Sequence, residues 1–430
     1  MKTLVSICRV LVGALFIVSG LIKANDAVGF AYKLEEYFSP DVLGWLTWME
    51  PYAYPMAVLV CIAEIILGLA ILLGAKMKLA TWATLLLIVF FAFLTFYSAY
   101  FNKVTDCGCF GDAIKLTPWG SFIKDMVLLV LIMPIFLWRG KVELNTDKQD
   151  ISIAISSIIF VIIFSLFILG NPWGFPIWFI IILWVVSLLV KKLVNSNVEW
   201  MMAGAATVLC AAFSYYTYAH LPIKDFRPYA VGKSISEGMK TAEELGLDPP
   251  VYTNVYSMKR LSTGEEFEMY STDYMSQRAW EDADLELIEA TGEQVKLRDG
   301  YEAPVHDFVF YDADGNDKTH DILSGKKLLV IAYDLSKADI EIQADLAEMT
   351  AGLQRGNVPA IGLTSSTWED IETFRHEHQL SFVHYQGDGT TLKTIVRSTP
   401  GLVALDNGTI VGKWHYNDMP SLDELNQLLN

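Results

Sequence analysis

Cys107-Gly108-Cys109-Phe110-Gly111-Asp112 interrupts two long apolar runs, 79–101 and 118–138, and those flanks decide the fold. Each run is long enough to cross a hydrocarbon core of about 30 Å as a helix. A short polar break between two such helices is a membrane-surface loop. Two thiols one glycine apart therefore sit at a membrane face. The other cysteines, Cys8, Cys61 and Cys210, lie inside apolar runs, and residues 221–430 contain none. Thiol chemistry has one address.

Working outward, the first half repeats the pattern. Seven spans are expected, at about 3–22, 52–74, 79–101, 118–138, 151–169, 175–194 and 200–219, the fifth and sixth separated at Asn171-Pro172-Trp173-Gly174. The first is too long for a signal-peptide core and lacks a cleavage site, so it reads as a retained helix. The halves differ in charge. Residues 1–220 carry 14 Lys and Arg against 13 Asp and Glu, and residues 221–430 carry 18 against 36. An acidic soluble half argues against nucleic acid and leaves the lipid bilayer and proteins as partners. One alternating set of loops and helix ends holds nine positive residues (Lys2, Arg9, Lys76, Lys78, Arg139, Lys141, Lys148, Lys191, Lys192) and the other holds five. The richer set should be cytoplasmic. With seven spans, the N-terminus is then inside, and the thiol loop and the C-terminal half share the outer side, where disulfides persist.

A thiolate attacks a disulfide and a neighbouring thiol resolves the mixed disulfide. Positions i and i+2 can meet the Cα separation of roughly 4.4–6.8 Å that a bridge needs, with Gly108 supplying backbone freedom. So small a ring would be strained, and strained disulfides are the labile ones. Asp106 and Asp112 should raise the thiol pKa values, and Lys103 and Lys115 should lower them. Four readings stay open: a redox pair, a static bridge, a metal site and inert thiols. Metal is disfavoured, because two sulfurs are half a tetrahedral site and no neighbouring His or Cys completes it.

Glu64 falls mid-span, where a carboxylate costs at least about 2.5–3.5 kcal/mol and should face a partner. Lys23, at the exit of span 1, and Lys124-Asp125 are the expected partners. Lys23, Asp26, Glu64 and Asp112 together form the expected polar site of the bundle. A proton-relay or head-group role and a structural interhelical contact are both open readings of it. Arg9 reads as a snorkelling anchor. Isolated Cys61, Cys8 and Cys210 read as packing residues. Trp45, Trp48, Tyr52, Trp119 and Trp138 read as interfacial belts.

Beyond residue 220, Val251–Tyr256 and Glu266–Tyr270 read as strands joined across Thr263-Gly264. Glu281-Asp282-Ala283-Asp284 reads as solvated surface. Phe308–Tyr311 with the turn Asp312–Asp317 predicts a hairpin. Lys327–Tyr333 predicts a buried strand, Asp339–Leu353 a helix, Ala360–Leu363 a strand and Thr367–His378 a helix. Thr399–Leu405 and Thr409–Trp414 predict a closing hairpin across Asp406-Asn407-Gly408. Alternating strands and helices indicate an α/β domain. Asp312 opens a calcium-like loop whose twelfth position, Leu323, lacks the required Glu, so it reads as a turn. His306, His320, His376, His378, His384 and His415 read as surface residues without metal spacing.

Ser19-Gly20-Leu21-Ile22-Lys23, Asp26 and Gly29-Phe30-Ala31, followed by Cys107–Asp112, resemble DoxX-like proteins and, within them, the methylamine-utilisation MauE branch. The likeness spans residues 1–140. It implies a four-helix bundle, involvement in maturing disulfide-rich exported proteins, and quinone as a candidate electron acceptor. Quinone-linked thiol oxidases use a second cysteine pair, which this chain lacks. The junction Leu221–Gly232 resembles Bacteroidetes DoxX proteins with soluble tails. The order of elements after residue 301 resembles thioredoxin-like domains of the TlpA and peroxiredoxin type, with Thr399-Pro400 at the family's cis proline. Where that family carries cysteines, this chain reads Tyr333-Asp-Leu-Ser-Lys-Ala-Asp339. The likeness therefore implies a peptide groove beside Pro400 and no thiol exchange within that domain.

The expected architecture is a multi-domain chain: a four-helix membrane bundle (1–140), three further membrane helices (141–220), a β-rich connector (221–300) and an α/β thioredoxin-like domain (301–430). Two functions compete. One is a bacterial inner-membrane thiol-disulfide oxidoreductase or maturation factor that uses Cys107 and Cys109 on periplasmic clients. The other is a non-enzymatic scaffold whose periplasmic domain binds an envelope partner. A transporter finds no support from internal repeats.

Overall fold

The computed structural model describes residues 1–101, 103–104, 108, 110–169 and 173–429, with only the backbone of 289–293. Cys107 and Cys109 lie outside the described residues. Among the described residues, seven helices are long and apolar enough to cross a membrane, and the chain is a multi-pass membrane protein. They are α1 (Lys2–Asn25), α3 (Ala53–Leu73, led in by a helical stretch from Pro40), α4 (Met77–Phe101), α5 (Pro118–Trp138), α6 (Asp147–Ile163, continued to Ile168 by a π-helical stretch), α7 (Phe175–Leu193) and α8 (Val198–Ala219). Between α1 and α3 runs a shorter amphipathic helix, α2 (Ala27–Phe38), which buries Phe30, Leu34, Tyr37 and Phe38. Its period-3.6 pattern is short, and it merges with span 1 in a hydropathy reading.

Helix α1 is central, packing against α3, α5, α6 and α8. Glycine makes the α1–α3 approach possible: a Cβ on Gly13 would fall 2.8 Å from the Gly68 carbonyl oxygen, and one on Gly68 would fall 2.6 Å from that of Gly13. Small residues at such crossings are what allow membrane helices to pack closely. Local signals set the helix ends. The Thr117 side chain caps α5, Thr146 and Gln149 form a capping box on α6, and left-handed Gly74 (φ 74°) ends α3.

At the end of the bundle near Met1, Arg9 is not a snorkelling anchor. It is buried and donates to the carbonyls of Ile71 and Leu72 at 2.8 and 2.9 Å and to Asn145 Oδ1 at 2.7 Å. Asn145 passes the chain to Asp150 (3.0 Å), which pairs with Lys191 at 2.5 Å. This cluster satisfies the free carbonyls at the end of α3 and ties α6 and α7 to the first bundle.

The C-terminal half is sheet-rich. Strands β1 (Val251–Arg260), β2 (Glu266–Tyr270) and β3 (Leu285–Arg298) form an antiparallel sheet of order β2-β1-β3. The hairpin across Thr263-Gly264 is present, with Gly264 left-handed (φ 75°). The second sheet contains β4 (Phe310–Tyr311), β5 (Lys326–Ile331), β6 (Ala360–Thr364), β7 (Val383–Gly387), β8 (Gly401–Asp406) and β9 (Thr409–His415), in the order β4-β7-β6-β5-β8-β9. Pairs β5/β6 and β6/β7 are parallel and the others antiparallel. Helix α9 (Gln343–Arg355) makes the β5–β6 crossover, and α10 (Trp368–Glu377) follows β6. Then α11 (Gly389–Ile395) precedes β8, and α12 (Leu422–Leu429) closes the chain. Leu329 and Ile331 face one core, with Phe308 and Leu392; Leu328 and Val330 face the other, with Leu346 and Leu425. Burial of β5 on both faces explains its unbroken apolar run.

Two expectations change here. The hairpin predicted for 308–317 reduces to a bridge between Tyr311 and Asp317, and β4 pairs instead with β7. The Asp312 carboxylate accepts from the Asp314 and Asn316 amides, holding a self-contained turn. The boundary at residue 300 also fails to divide the cores. Tyr229 and Ile235 are buried in the α/β core, and Ser234 bridges Thr409, so the connector is threaded into the domain it was expected to precede.

Candidate functional site

The motif residues of α1 explain themselves in three dimensions. Gly20 admits α3: a Cβ there would meet Ile65 Cγ1 at 2.7 Å and the Cys61 carbonyl oxygen at 2.9 Å. This close approach lets Lys23 reach across. Its Nζ lies 2.5 Å from Glu64 Oε1 and 3.2 Å from Ser19 Oγ, with the ring of Phe91 4.8 Å away and that of Phe30 5.5 Å away. Both side chains are nearly inaccessible, at 2% and 4% exposure. Glu64 Oε2 makes no hydrogen bond among the described residues.

Beside the pair is a narrow cavity of about 20 Å³, walled by Ser19, Lys23, Glu64, Phe110, Lys124 and Asp125. Asp125 accepts from Thr95 Oγ1 at 3.0 Å and pairs with Lys124 at 2.9 Å. Lys124 Nζ is 5.3 Å from the ring centroid of Phe110, the residue directly after Cys109. The loop that carries the thiols thus ends on the wall of a buried polar chamber. Its volume suits about one water and not a quinone ring. The residues around it do not fit the quinone that the sequence likeness implied.

Gly108 and Phe110–Asp112 are the described parts of the loop. Gly108 is left-handed (φ 66°), and a Cβ there would lie 3.1 Å from Lys33 Cγ on α2. Asp112 is not among the residues that wall the Lys23–Glu64 chamber. The expected single polar site of Lys23, Asp26, Glu64 and Asp112 therefore divides in two. Asp26 and Asp112 face the C-terminal domain, where Arg397 Nε lies 3.0 Å from Asp26 Oδ2 and Nη2 lies 3.3 Å from Asp112 Oδ2. Asp26 also caps α2 by accepting from the Gly29 amide at 2.9 Å. A Cβ on Gly29 would sit 2.6 Å from Arg397 Nη2, so glycine is what admits the guanidinium. Burial works to raise the Asp26 carboxyl, but Arg397 and Arg227 hold it below the usual carboxylate range.

Around this contact the charges alternate. Arg227 chelates Asp225 (2.8 Å from Nε), and Asp225 pairs with Lys413 at 2.8 Å. Burial lowers Lys413 to about 8, with Asp225 opposing the shift. Three cations and three carboxylates thus meet where the two parts of the chain join. Nearby, the Tyr32 and Tyr333 rings meet edge-on at 6.3 Å, with Lys393 Nζ 4.5 and 5.0 Å from the two centroids. Tyr333 is where the sequence likeness would have a cysteine motif; in this chain it packs against α2.

Two further expectations are corrected. Pro400 follows a cis bond from Thr399, but it is buried among Ala332, Leu335, Leu363 and His384, and the Thr399 carbonyl accepts from the Asp339 amide at 3.1 Å. Among the described residues, the cavity that Pro400 lines measures about 10 Å³, too small for a peptide. His384 and His415 are not surface residues. Both are buried, and burial pushes each imidazole down to about 4, so they are neutral at pH 7. Cys8, Cys61 and Cys210 are free and buried in helix contacts.

Residues 1–139 match the methylamine utilisation protein MauE family. The MauE domain thus covers α1 to α5 and includes the thiol loop, Lys23, Asp26, Glu64 and Asp112. Protein TlpB of Flavobacterium psychrophilum is 31% identical over 167 residues, which is 38% of this chain and 43% of TlpB. The chain therefore matches less than half the length of that relative. No solved structure matches.

Proposed function

We propose that this chain is a bacterial inner-membrane thiol-disulfide oxidoreductase, or a maturation factor for exported proteins, that acts through Cys107 and Cys109. The thiolate of one cysteine attacks a client disulfide, forming a mixed disulfide and releasing one client sulfur as thiolate. The second cysteine then attacks the mixed bond, so that one disulfide breaks and one forms. The observation that carries the reading is the position of Phe110–Asp112. The last residues of the motif join a buried polar chamber of the MauE domain to the docked acidic domain, at one face of the membrane helices. The DoxX-like likeness and the positive-residue bias favour the periplasm for that face, with the N-terminus in the cytoplasm. The strand order β6-β5-β8-β9, with the crossover helix and the cis Thr399-Pro400 bond, supports a thioredoxin-like domain that has lost its cysteines.

The test is trapping. With Cys109→Ala, Cys107 should retain a covalently attached exported protein, which mass spectrometry identifies. If differential alkylation finds the pair in one oxidation state under both reducing and oxidising growth, the reading is wrong.

The buried Pro400 and the cysteine-free Tyr333–Asp339 favour a second reading, a scaffold whose domain binds an envelope partner through another face. It expects Cys107→Ser with Cys109→Ser to leave function intact and removal of 301–430 to abolish it.

A further inference from the structure

Strand β2 (Glu266–Tyr270) is a sheet edge. The order β2-β1-β3 gives it one neighbour, and among the described residues no strand pairs with its other side. Edge strands invite a further strand, and proteins blunt them with bulges, proline or lysine. The opposite edge, β3, is blunted: its register with β1 shifts at three points. β2 is not. It runs in unbroken register with β1, from Glu266 opposite Lys259 to Tyr270 opposite Val255, and contains neither proline nor lysine.

The hydrogen-bonding phase of this edge follows from the hairpin. The Arg260 amide donates to the Glu265 carbonyl at 2.8 Å, so residue 260 faces β2. Residues of an antiparallel ladder alternate, so Met258 and Tyr256 bond to Phe267 and Met269. The amides and carbonyls of Glu266, Glu268 and Tyr270 therefore point away from β1. Side chains alternate as well. Phe267 and Met269 are half-buried, on the face of Tyr256, whose ring meets Tyr274 edge-on at 5.1 Å. Glu266, Glu268 and Tyr270 are exposed on the other face. Residues 261–277 hold four carboxylates and no lysine, arginine or histidine. Of the β1 residues in register with β2, only Lys259 is cationic.

That charge selects the occupant. A second copy pairing through the same edge would bring Glu266 and Glu268 against their own kind, and like charges directly opposite destabilise a sheet. A strand with cations at alternate positions gains at the same places. We propose that the β2 edge docks an extended cationic segment of another polypeptide. The segment adds to the sheet as a fourth strand, with lysine or arginine opposite Glu266 and Glu268 and an apolar residue between them, opposite Phe267. Main-chain bonds to residues 266, 268 and 270 supply affinity, and the two carboxylates supply selectivity. The proposal stands apart from thiol exchange: the exchange and scaffold readings both need a polypeptide partner, and neither says what holds it.

The experiment uses the full chain in phosphatidylcholine nanodiscs, which carry no net charge, and a fluorescent hexapeptide alternating lysine and valine. Anisotropy should show saturable binding, and a glutamate–valine peptide should not bind. Methylating the peptide nitrogens that face β2 keeps its charge and should abolish binding, which separates strand addition from plain charge attraction. Glu266→Gln with Glu268→Gln should weaken binding about fivefold, the effect of two cross-strand charge pairs. Glu348→Gln with Glu377→Gln, exposed acids elsewhere in the chain, should change nothing. Glu268→Pro removes an outward amide without costing a bond to β1, and should abolish binding. Hydrogen exchange at single-residue resolution should slow at the amides of Glu266, Glu268 and Tyr270 when the peptide is added. Absence of saturable binding, equal binding of the methylated peptide, or slowing confined to Phe267 and Met269 overturns the proposal. Protection of the same three amides by self-association, without peptide, assigns the edge to a second copy and also overturns it. Peptide docking with no client trapped at Cys107 would reject the exchange reading and leave this one standing; the reverse result would reject this one alone.

Discussion

The Lys23–Glu64 pair supports a double-mutant cycle with a large expected coupling. Glu64→Leu leaves a buried ammonium whose remaining neighbours are Ser19 Oγ at 3.2 Å and two aromatic faces at 4.8 and 5.5 Å. The aromatic faces return about 1 kcal/mol each. Stranding one member of a buried pair costs about 3–5 kcal/mol, and a lone charge at mid-membrane about 2.5–3.5 kcal/mol on insertion scales. The net loss for Glu64→Leu should be about 3 kcal/mol. Lys23→Met should cost a similar amount, because Glu64 Oε2 already has no described partner and Oε1 would then have none. Lys23→Met with Glu64→Leu removes both charges and fills the same volume with apolar atoms, so it should fall within about 1 kcal/mol of wild type. The coupling energy is then at least about 3 kcal/mol. Equilibrium unfolding in mixed detergent micelles measures it. If the double variant loses as much as the two singles combined, the pair is not an interdependent ion pair, and the account of the chamber is wrong.

Gly68→Ala puts a Cβ 2.6 Å from the Gly13 carbonyl oxygen and should cost about 1–3 kcal/mol in the same assay, whereas Gly140→Ala, with open space around it, should be neutral. Arg9→Met leaves the Ile71 and Leu72 carbonyls and Asn145 without their charged donor, and thermal unfolding should show a loss of about 3 kcal/mol. His384 should make the fold acid-sensitive. Its folded pKa lies near 4, below an unfolded value of about 6.5, so between these limits the unfolded chain binds a proton that the fold refuses. Stability should therefore fall as pH drops through that window, by up to about 3 kcal/mol, and His384→Leu should flatten that part of the unfolding profile measured by denaturant titration.

The membrane half was legible because hydropathy over about 20 residues is the strongest signal a sequence carries. All seven spans were visible, yet α2 was not, since 12 amphipathic residues beside a longer apolar run add no separate peak. In the α/β half, β5, β6 and the β8–β9 hairpin were readable from unbroken apolar runs and the Asp406-Asn407-Gly408 turn. The strand Val383–Gly387 was missed: its residues Val-His-Tyr-Gln-Gly mix polar and aromatic side chains, and only pairing with β6 and β4 makes it a strand. The 308–317 hairpin failed for the complementary reason. Turn chemistry at Asp312 was read correctly, but a long-range partner outcompeted the local one.

The site shows where a one-dimensional reading runs out. Lys23 was a natural partner for Glu64, because a mid-membrane carboxylate demands one and few cations lie within reach. Arg397 was invisible: it is 371 residues from Asp26, and nothing near it in sequence marks it as an acid's partner. The available clue was negative, two carboxylates in a bundle motif with only one buried lysine to share between three acids. Glycine carried a second clue. Gly29 lies in a helix where alanine would be better by about 1 kcal/mol, so its presence signals a close approach. That approach is the guanidinium of the distant domain. The motif of the MauE domain is therefore partly a description of its interface, and its acids have meaning only with the second domain in place. A chain that kept the bundle but lost the C-terminal domain should retain the Lys23–Glu64 chamber and lose the Arg397 contacts to Asp26 and Asp112.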